Sequence, residues 1–162
     1  MHGTVGFLRF ALDVAFSASM MLAVVIDART RRFPNRLAAA MAAEALALIF
    51  FLYPSSRILV HVLSSAFIFV VLYSFESVWR HVFKRQGMGL GDAKAVAILA
   101  LVSPAAAIAA FCLSMVFLAI ICAVRKLPSL PLLPLLLPAF SILLVYWPAI
   151  WSHLDVVLGI RV

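Results

Sequence analysis

Apolar residues fall along the chain in long unbroken runs separated by short polar stretches, with no alternation of faces. A run of ~20 residues has the length a helix needs to cross a hydrocarbon core of ~30 Å. The first run covers 7–26 and closes on Asp27 and the basic stretch Ala28-Arg29-Thr30-Arg31-Arg32. Asp13 interrupts it and charges follow at once, so it reads as a retained span and not as a cleaved signal peptide. The second run, 37–53, is approached through Phe33-Pro34-Asn35-Arg36, with Asn35 expected as the helix N-cap. A turn at 54–57 leads into a third run, 58–78, and 79–91 is the longest polar segment. A fourth helix is expected from Asp92 to about residue 102, where Ser103-Pro104 interrupts the pattern. That stretch reaches only ~16 Å, so the helix is short or continues through the proline with a kink. The fifth run covers 105–124 and ends on Arg125-Lys126. Pro128, Pro131, Pro134 and Pro138 disturb the approach to a sixth helix, expected mainly over 135–151. The pattern predicts an all-α, polytopic membrane helical bundle of about six transmembrane helices with short loops. It reads as a single domain over 1–162, irregular at the fourth and sixth spans.

Composition supports that reading: 67% of the 162 residues are hydrophobic and 12% charged, with mean hydropathy +1.19. A soluble domain carries roughly 25% charged residues, and disordered chains are poor in apolar residues, so both classes are excluded. The net charge of +7 does not point to nucleic acid, because the basic residues sit in short loops where topology signals are expected. The loops after the first, third and fifth runs, with their flanks, hold ten of the thirteen Lys and Arg; Arg9, Arg57 and Arg161 fall on the other side. The positive-inside rule then places those three loops in the cytoplasm and both termini outside. Cys112 and Cys122 share one apolar run without CxxC spacing, so neither a metal site nor a disulfide framework is expected.

Six acidic residues remain, and ionisable groups at membrane depth cost ~2.5–3.5 kcal/mol each on insertion scales. Asp27 ends the first span and Asp92 opens the fourth, so both fall at the cytoplasmic face although far apart in sequence. Two carboxylates converging at one depth titrate as a unit, one protonated and one ionised. That is the requirement for activating water against an amide. The plainer reading makes them separate helix-end charges, Asp92 favoured by the macrodipole and Asp27 paired with Arg31 or Arg32. Gly87, Gly89 and Gly91 precede Asp92; glycines open backbone conformations closed to other residues and let a second chain lie close, as an extended substrate would, unless the loop is merely flexible. Glu44 lies ~10 Å below the end of the second span, as a third carboxylate or a hydrogen-bonded bundle residue. Arg9 with Asp13, and Glu76 with Arg80, have i,i+4 spacing and read as helix-face ion pairs. His61 and His81 have no partner spacing, and Trp79, Trp147 and Trp151 fit interfacial belts.

Gly87-Met88-Gly89-Leu90-Gly91-Asp92-Ala93-Lys94 resembles the GxGD signature of the prepilin peptidases, membrane aspartyl proteases that mature type IV pilins and pseudopilins. Asp27 followed by Pro34-Asn35-Arg36-Leu37 resembles the same family's first-aspartate segment, with Phe33 in the usual aliphatic position. The resemblance covers about 21–124. It implies that Asp27 and Asp92 are the catalytic aspartates, with Gly87, Gly89, Gly91, Lys94 and Asn35 in support. It also implies cleavage of a short cytoplasmic leader in the bacterial inner membrane, with no metal and no cofactor. The implied partners are prepilin or pseudopilin precursors, the lipid bilayer and pilus-assembly membrane proteins, with no nucleic acid. Larger members carry a cysteine-containing N-terminal region associated with methylation. This sequence opens almost directly on its first span, and its size resembles the minimal peptidases of tight-adherence (Flp pilus) systems. The competing class is a small transporter or assembly subunit that binds a cation or proton at the aspartates, although such sites usually lie near the bilayer midplane. A presenilin-like GxGD protease would carry Tyr-Asp where this chain has Ile26-Asp27.

Overall fold

The computed structural model describes residues 2–84, 88–126 and 130–158, with side chains described for 5–84, 88–126 and 130–146. Within them the chain forms six helices: α1 (His2–Thr30), α2 (Asn35–Leu52), α3 (Ser55–Phe83), α4 (Leu90–Val102), α5 (Pro104–Arg125) and α6 (Leu133–Leu158). Among the described residues, α1, α2, α3 and α5 are long and apolar enough to cross a bilayer. The expected all-helical membrane bundle is therefore the architecture found. Each of the long helices keeps most of its surface outside the packed interior, as expected where lipid is the solvent.

The short fourth helix lies at the centre. Residues 95–102 and Ala93 are all buried, and a helix apolar all round its circumference belongs in an interior. Ala93, Ala95, Ala97 and Ala100 leave room for neighbouring backbones to approach. Around this axis α1 packs on α2 and α6, α2 and α5 pack on α4, and α5 packs on α6, while α3 lies against α4 from outside. Met41, Leu48, Leu99, Leu136 and Phe140 fill the space between them with almost no exposure.

Thirteen residues give α4 a length of about 20 Å, short of a ~30 Å core. It stops where the sequence breaks, because Ser103 is extended (φ −152°, ψ 101°) and Pro104 starts α5. Unpaired carbonyls at that end would be costly in lipid, and three of them have donors. The Tyr53 hydroxyl donates to the Val102 carbonyl at 3.2 Å, His61 Nδ1 to that of Leu101 at 2.9 Å, and Ser103 N–H to that of Leu99 at 3.1 Å. His61, without a partner in sequence spacing, thus caps a helix.

Of the boundaries that differ from the expected ones, three have a clear local cause. The third helix runs on through Phe83, about 44 Å in all, because Phe75, Trp79 and Phe83 stack at i,i+4 intervals and carry the helix past the apolar run. Asn35 is the first residue inside α2, not its cap: Pro34 (φ −64°, ψ 135°) takes the cap position and no side chain caps the helix. The sixth helix begins at Leu133, since Pro134 falls in its first turn, where a missing N–H costs nothing. Arg31, Lys84 and Lys126 follow the ends of α1, α3 and α5, each with φ between 51° and 55°. The left-handed turn ends each helix, and the cation faces the negative end of its dipole.

Candidate functional site

The last turns of α1 and the first turns of α4 and α6 meet at one end of the bundle, around an open cavity of about 810 Å³. Its lining comes from three chain segments: Asp27 with 31–35, 89–92 with Lys94, and 130–132. The described parts of the loops that charge counting assigned to one face meet around this cavity. Residues 127–129 and 85–87, Gly87 among them, lie outside the described residues.

Asp27 stands three residues before the end of α1 and is 6% exposed. Its backbone carbonyl accepts the Arg31 N–H at 2.8 Å, closing the helix. Its carboxylate meets the backbone N–H of Leu133, the first residue of α6, while Oδ2 has no protein partner. The proline-disturbed approach to the sixth helix therefore delivers a helix N-terminus to the first aspartate. Such an end presents free N–H groups and a positive dipole to an anion.

Asp92 is the third residue of α4, after Gly89 in the cap position. The Gly89 carbonyl accepts from the Asp92 and Ala93 N–H groups at 3.0 and 3.3 Å. The Asp92 carboxylate folds back to the Gly89 N–H, a reciprocal arrangement of the capping-box kind. Asp92 also lies near enough to feel the charge of Asp27.

Neither described glycine of the motif has unusual backbone angles, and Gly91 matters by lacking a side chain. Gly89 is extended at φ −69°, ψ 143°, and Gly91 is helical. A Cβ on Gly91 would lie 2.9 Å from the Phe33 Cβ, so only glycine lets the first turn of α4 touch the loop after α1. A Cβ on Gly89 would stand 3.4 Å from Asp92 Oδ2, an ordinary contact. The close neighbour of Gly91 is the protein's own loop, where the sequence suggested room for a second chain.

The two motif segments are also joined by side chains. Lys94 Nζ donates to Asn35 Oδ1 at 2.8 Å across 59 positions of sequence. With Arg31 and Arg32, Lys94 sets cations around a cavity that holds two carboxylates. Such a cavity has room for a water and an extended peptide, and its carboxylates are the groups that can move protons there. Among the described residues, no three His, Cys, Asp or Glu side chains gather as metal ligands.

The other acidic residues divide. Glu44 accepts from Ser19 Oγ at 3.1 Å between α1 and α2, so it is a hydrogen-bonded bundle residue lying outside the cavity lining. Asp13 and Arg9 form an exposed pair at 4.0 Å, beside a smaller cavity at the opposite end. Glu76 does more than its spacing suggested. It pairs with Arg80 at 3.0 Å, is 3% exposed, and accepts the Met88 N–H on Oε2 at 2.6 Å. The signal available in sequence was a carboxylate within an apolar run, which must find partners.

Comparison with known families finds that a sequence model of the type IV leader peptidase family matches residues 14–125, the stretch that contributes Asp27 and Asp92. Comparison with curated proteins and with solved structures finds no match.

Proposed function

Taking as premise that this chain belongs to the type IV leader peptidase family, an integral membrane peptidase by its helices, we propose that it removes the short leader of type IV prepilins or pseudopilins by aspartic catalysis through Asp27 and Asp92. One observation carries the proposal: carboxylates 65 positions apart line a single open cavity. Membership of a peptidase family sets aside the transporter reading, which would also place the aspartates near the bilayer midplane.

In this mechanism Asp27 and Asp92 share one proton. The ionised carboxylate takes a proton from water as the oxygen attacks the scissile carbonyl, and the protonated one donates to the carbonyl oxygen. Collapse of the tetrahedral intermediate returns that proton and passes another to the leaving nitrogen. The Leu133 N–H beside Asp27 and the Gly89 N–H beside Asp92 are backbone donors that favour the ionised form of each carboxylate. The substrate backbone lies extended beside Gly89 and Leu90, with its leader in the cytoplasm. The concentration of Lys and Arg at the cavity end supports a cytoplasmic active face and external termini in a bacterial inner membrane. Arg31, Arg32, Lys84 and Arg85 meet an acidic part of the substrate or anionic headgroups. Flp-type pilins are the substrates of this reading, with pilus-assembly membrane proteins as neighbours.

The test is co-expression with an Flp-type prepilin and, separately, a pseudopilin precursor, comparing wild type with Asp27→Asn and Asp92→Asn at equal membrane levels. Each variant is expected to lose leader-free product by at least ~100-fold, the scale of general acid–base catalysis. Normal processing by either variant overturns the dyad. Cleavage of the pseudopilin alone overturns the Flp assignment.

A further inference from the structure

Helix α3 holds α4 by hydrogen bonds at three heights. At the far end His61 reaches the Leu101 carbonyl, and midway Ser65 Oγ donates to that of Ala97 at 2.6 Å. At the cavity end Glu76 Oε2 accepts the Met88 N–H at 2.6 Å. Only this last bond falls on the run that precedes Asp92.

Its setting is unusual for a helix-face ion pair. Glu76 is 3% exposed, yet each carboxylate oxygen has a donor: Arg80 Nη2 on Oε1 at 3.0 Å and Met88 N–H on Oε2. The Arg80 side chain is about half exposed and reaches in from the surface. A carboxylate in such a place is costly unless its partners are fixed, so the bond to Met88 holds a backbone group, not a mobile side chain. Fixing the Met88 N–H anchors the chain one residue before Gly89, whose carbonyl in turn accepts the Asp92 and Ala93 N–H groups at 3.0 and 3.3 Å.

We propose that Glu76 is a positioning residue of the peptidase: by holding the Met88 N–H it fixes the run 88–91 and so the direction in which Asp92 presents its carboxylate to the cavity. The proposal rests on the reading of Asp92 as catalytic. Arg80 holds the Glu76 carboxylate on Oε1 and is not itself a residue of the cavity lining.

Leader cleavage is measured in membranes for wild type, Glu76→Ala, Glu76→Gln and Ser65→Ala at matched levels, with exchange of the Met88 amide followed by mass spectrometry. Glu76→Ala loses the acceptor; kcat is expected to fall by ~10-fold or more while KM changes by less than ~3-fold, because orientation and not binding is lost. Glu76→Gln keeps an oxygen for Met88 and gives up the charge pair, so it is expected to recover most of kcat and to keep the amide protected. Ser65→Ala removes an α3–α4 bond away from the loop and is expected to cleave as wild type does. Equal kcat in Glu76→Ala and wild type overturns the proposal. So does failure of Glu76→Gln to recover activity, or a loss in Ser65→Ala as large as in Glu76→Ala. A wild type that cleaves no prepilin overturns the proposed function instead, and Met88 exchange still reports on the bond.

Discussion

Replacing Gly91 by alanine puts a single methyl group where two chain segments touch. Its Cβ would sit 2.9 Å from the Phe33 Cβ, whereas carbon atoms settle at about 3.5–4.0 Å. One segment must therefore retreat by roughly 0.6–1.1 Å. Both colliding atoms are Cβ atoms, so no rotamer change relieves the contact and backbone has to move. Overpacking of this kind costs about 1–3 kcal/mol, and alanine returns up to about 1 kcal/mol of helix propensity within α4. The net loss of about 0–3 kcal/mol leaves a folded, inserted protein. Activity is more sensitive, since a shift near 1 Å in a reacting group costs on the order of 100-fold. Gly91→Ala is thus expected to reach normal membrane levels and to cleave prepilin 10- to 100-fold more slowly. Phe33→Gly removes the opposing Cβ, so the double variant should cleave faster than Gly91→Ala alone, a coupling of roughly 1 kcal/mol or more. Gly89→Ala, whose new contact is ordinary and whose backbone suits any residue, should fold and reach normal membrane levels. The assay is the rate of leader removal in membranes at matched enzyme levels. Wild-type cleavage by Gly91→Ala, or independent effects of Gly91→Ala and Phe33→Gly, would refute the close approach as the reason for glycine.

Two further expectations follow from single hydrogen bonds. Tyr53→Phe leaves the Val102 carbonyl without its hydroxyl donor, a loss of about 1–3 kcal/mol; thermal unfolding in detergent should fall by roughly 2–12 °C, with cleavage well below that temperature unchanged. Asn35→Ala and Lys94→Met each break one bond between the motif segments, so the double variant should cleave no more slowly than the worse single one, and additive losses would count against the bond.

Legibility differed between parts of the molecule for physical reasons. Helix number and the break at Ser103-Pro104 were readable because run length and proline are local properties. Asp27 and Asp92 were readable as a pair because span parity fixes which end of a bundle a residue occupies. Partners at long range were not readable: nothing near Asp27 announces the Leu133 N–H, and nothing near Met88 announces Glu76. Asn35 was assigned to its own backbone because that is the local option, but its oxygen meets Lys94. The glycine pattern was noticed for the freedom it allows, whereas at Gly91 the decisive fact is the position of Phe33. The extension of α3 past residue 78 was hidden because its charged positions resemble a loop when composition alone is weighed.

The shortness of α4 has a consequence for how the molecule meets lipids of different thickness. Its far end is tethered to Tyr53 and His61, and its flanks are sheathed by α2, α3 and α5. A thinner or thicker bilayer therefore presses on the outer helices, which adjust by tilting, while Asp92 keeps a height inherited from its protein neighbours. The cavity end of the bundle is insulated from the membrane it stands in.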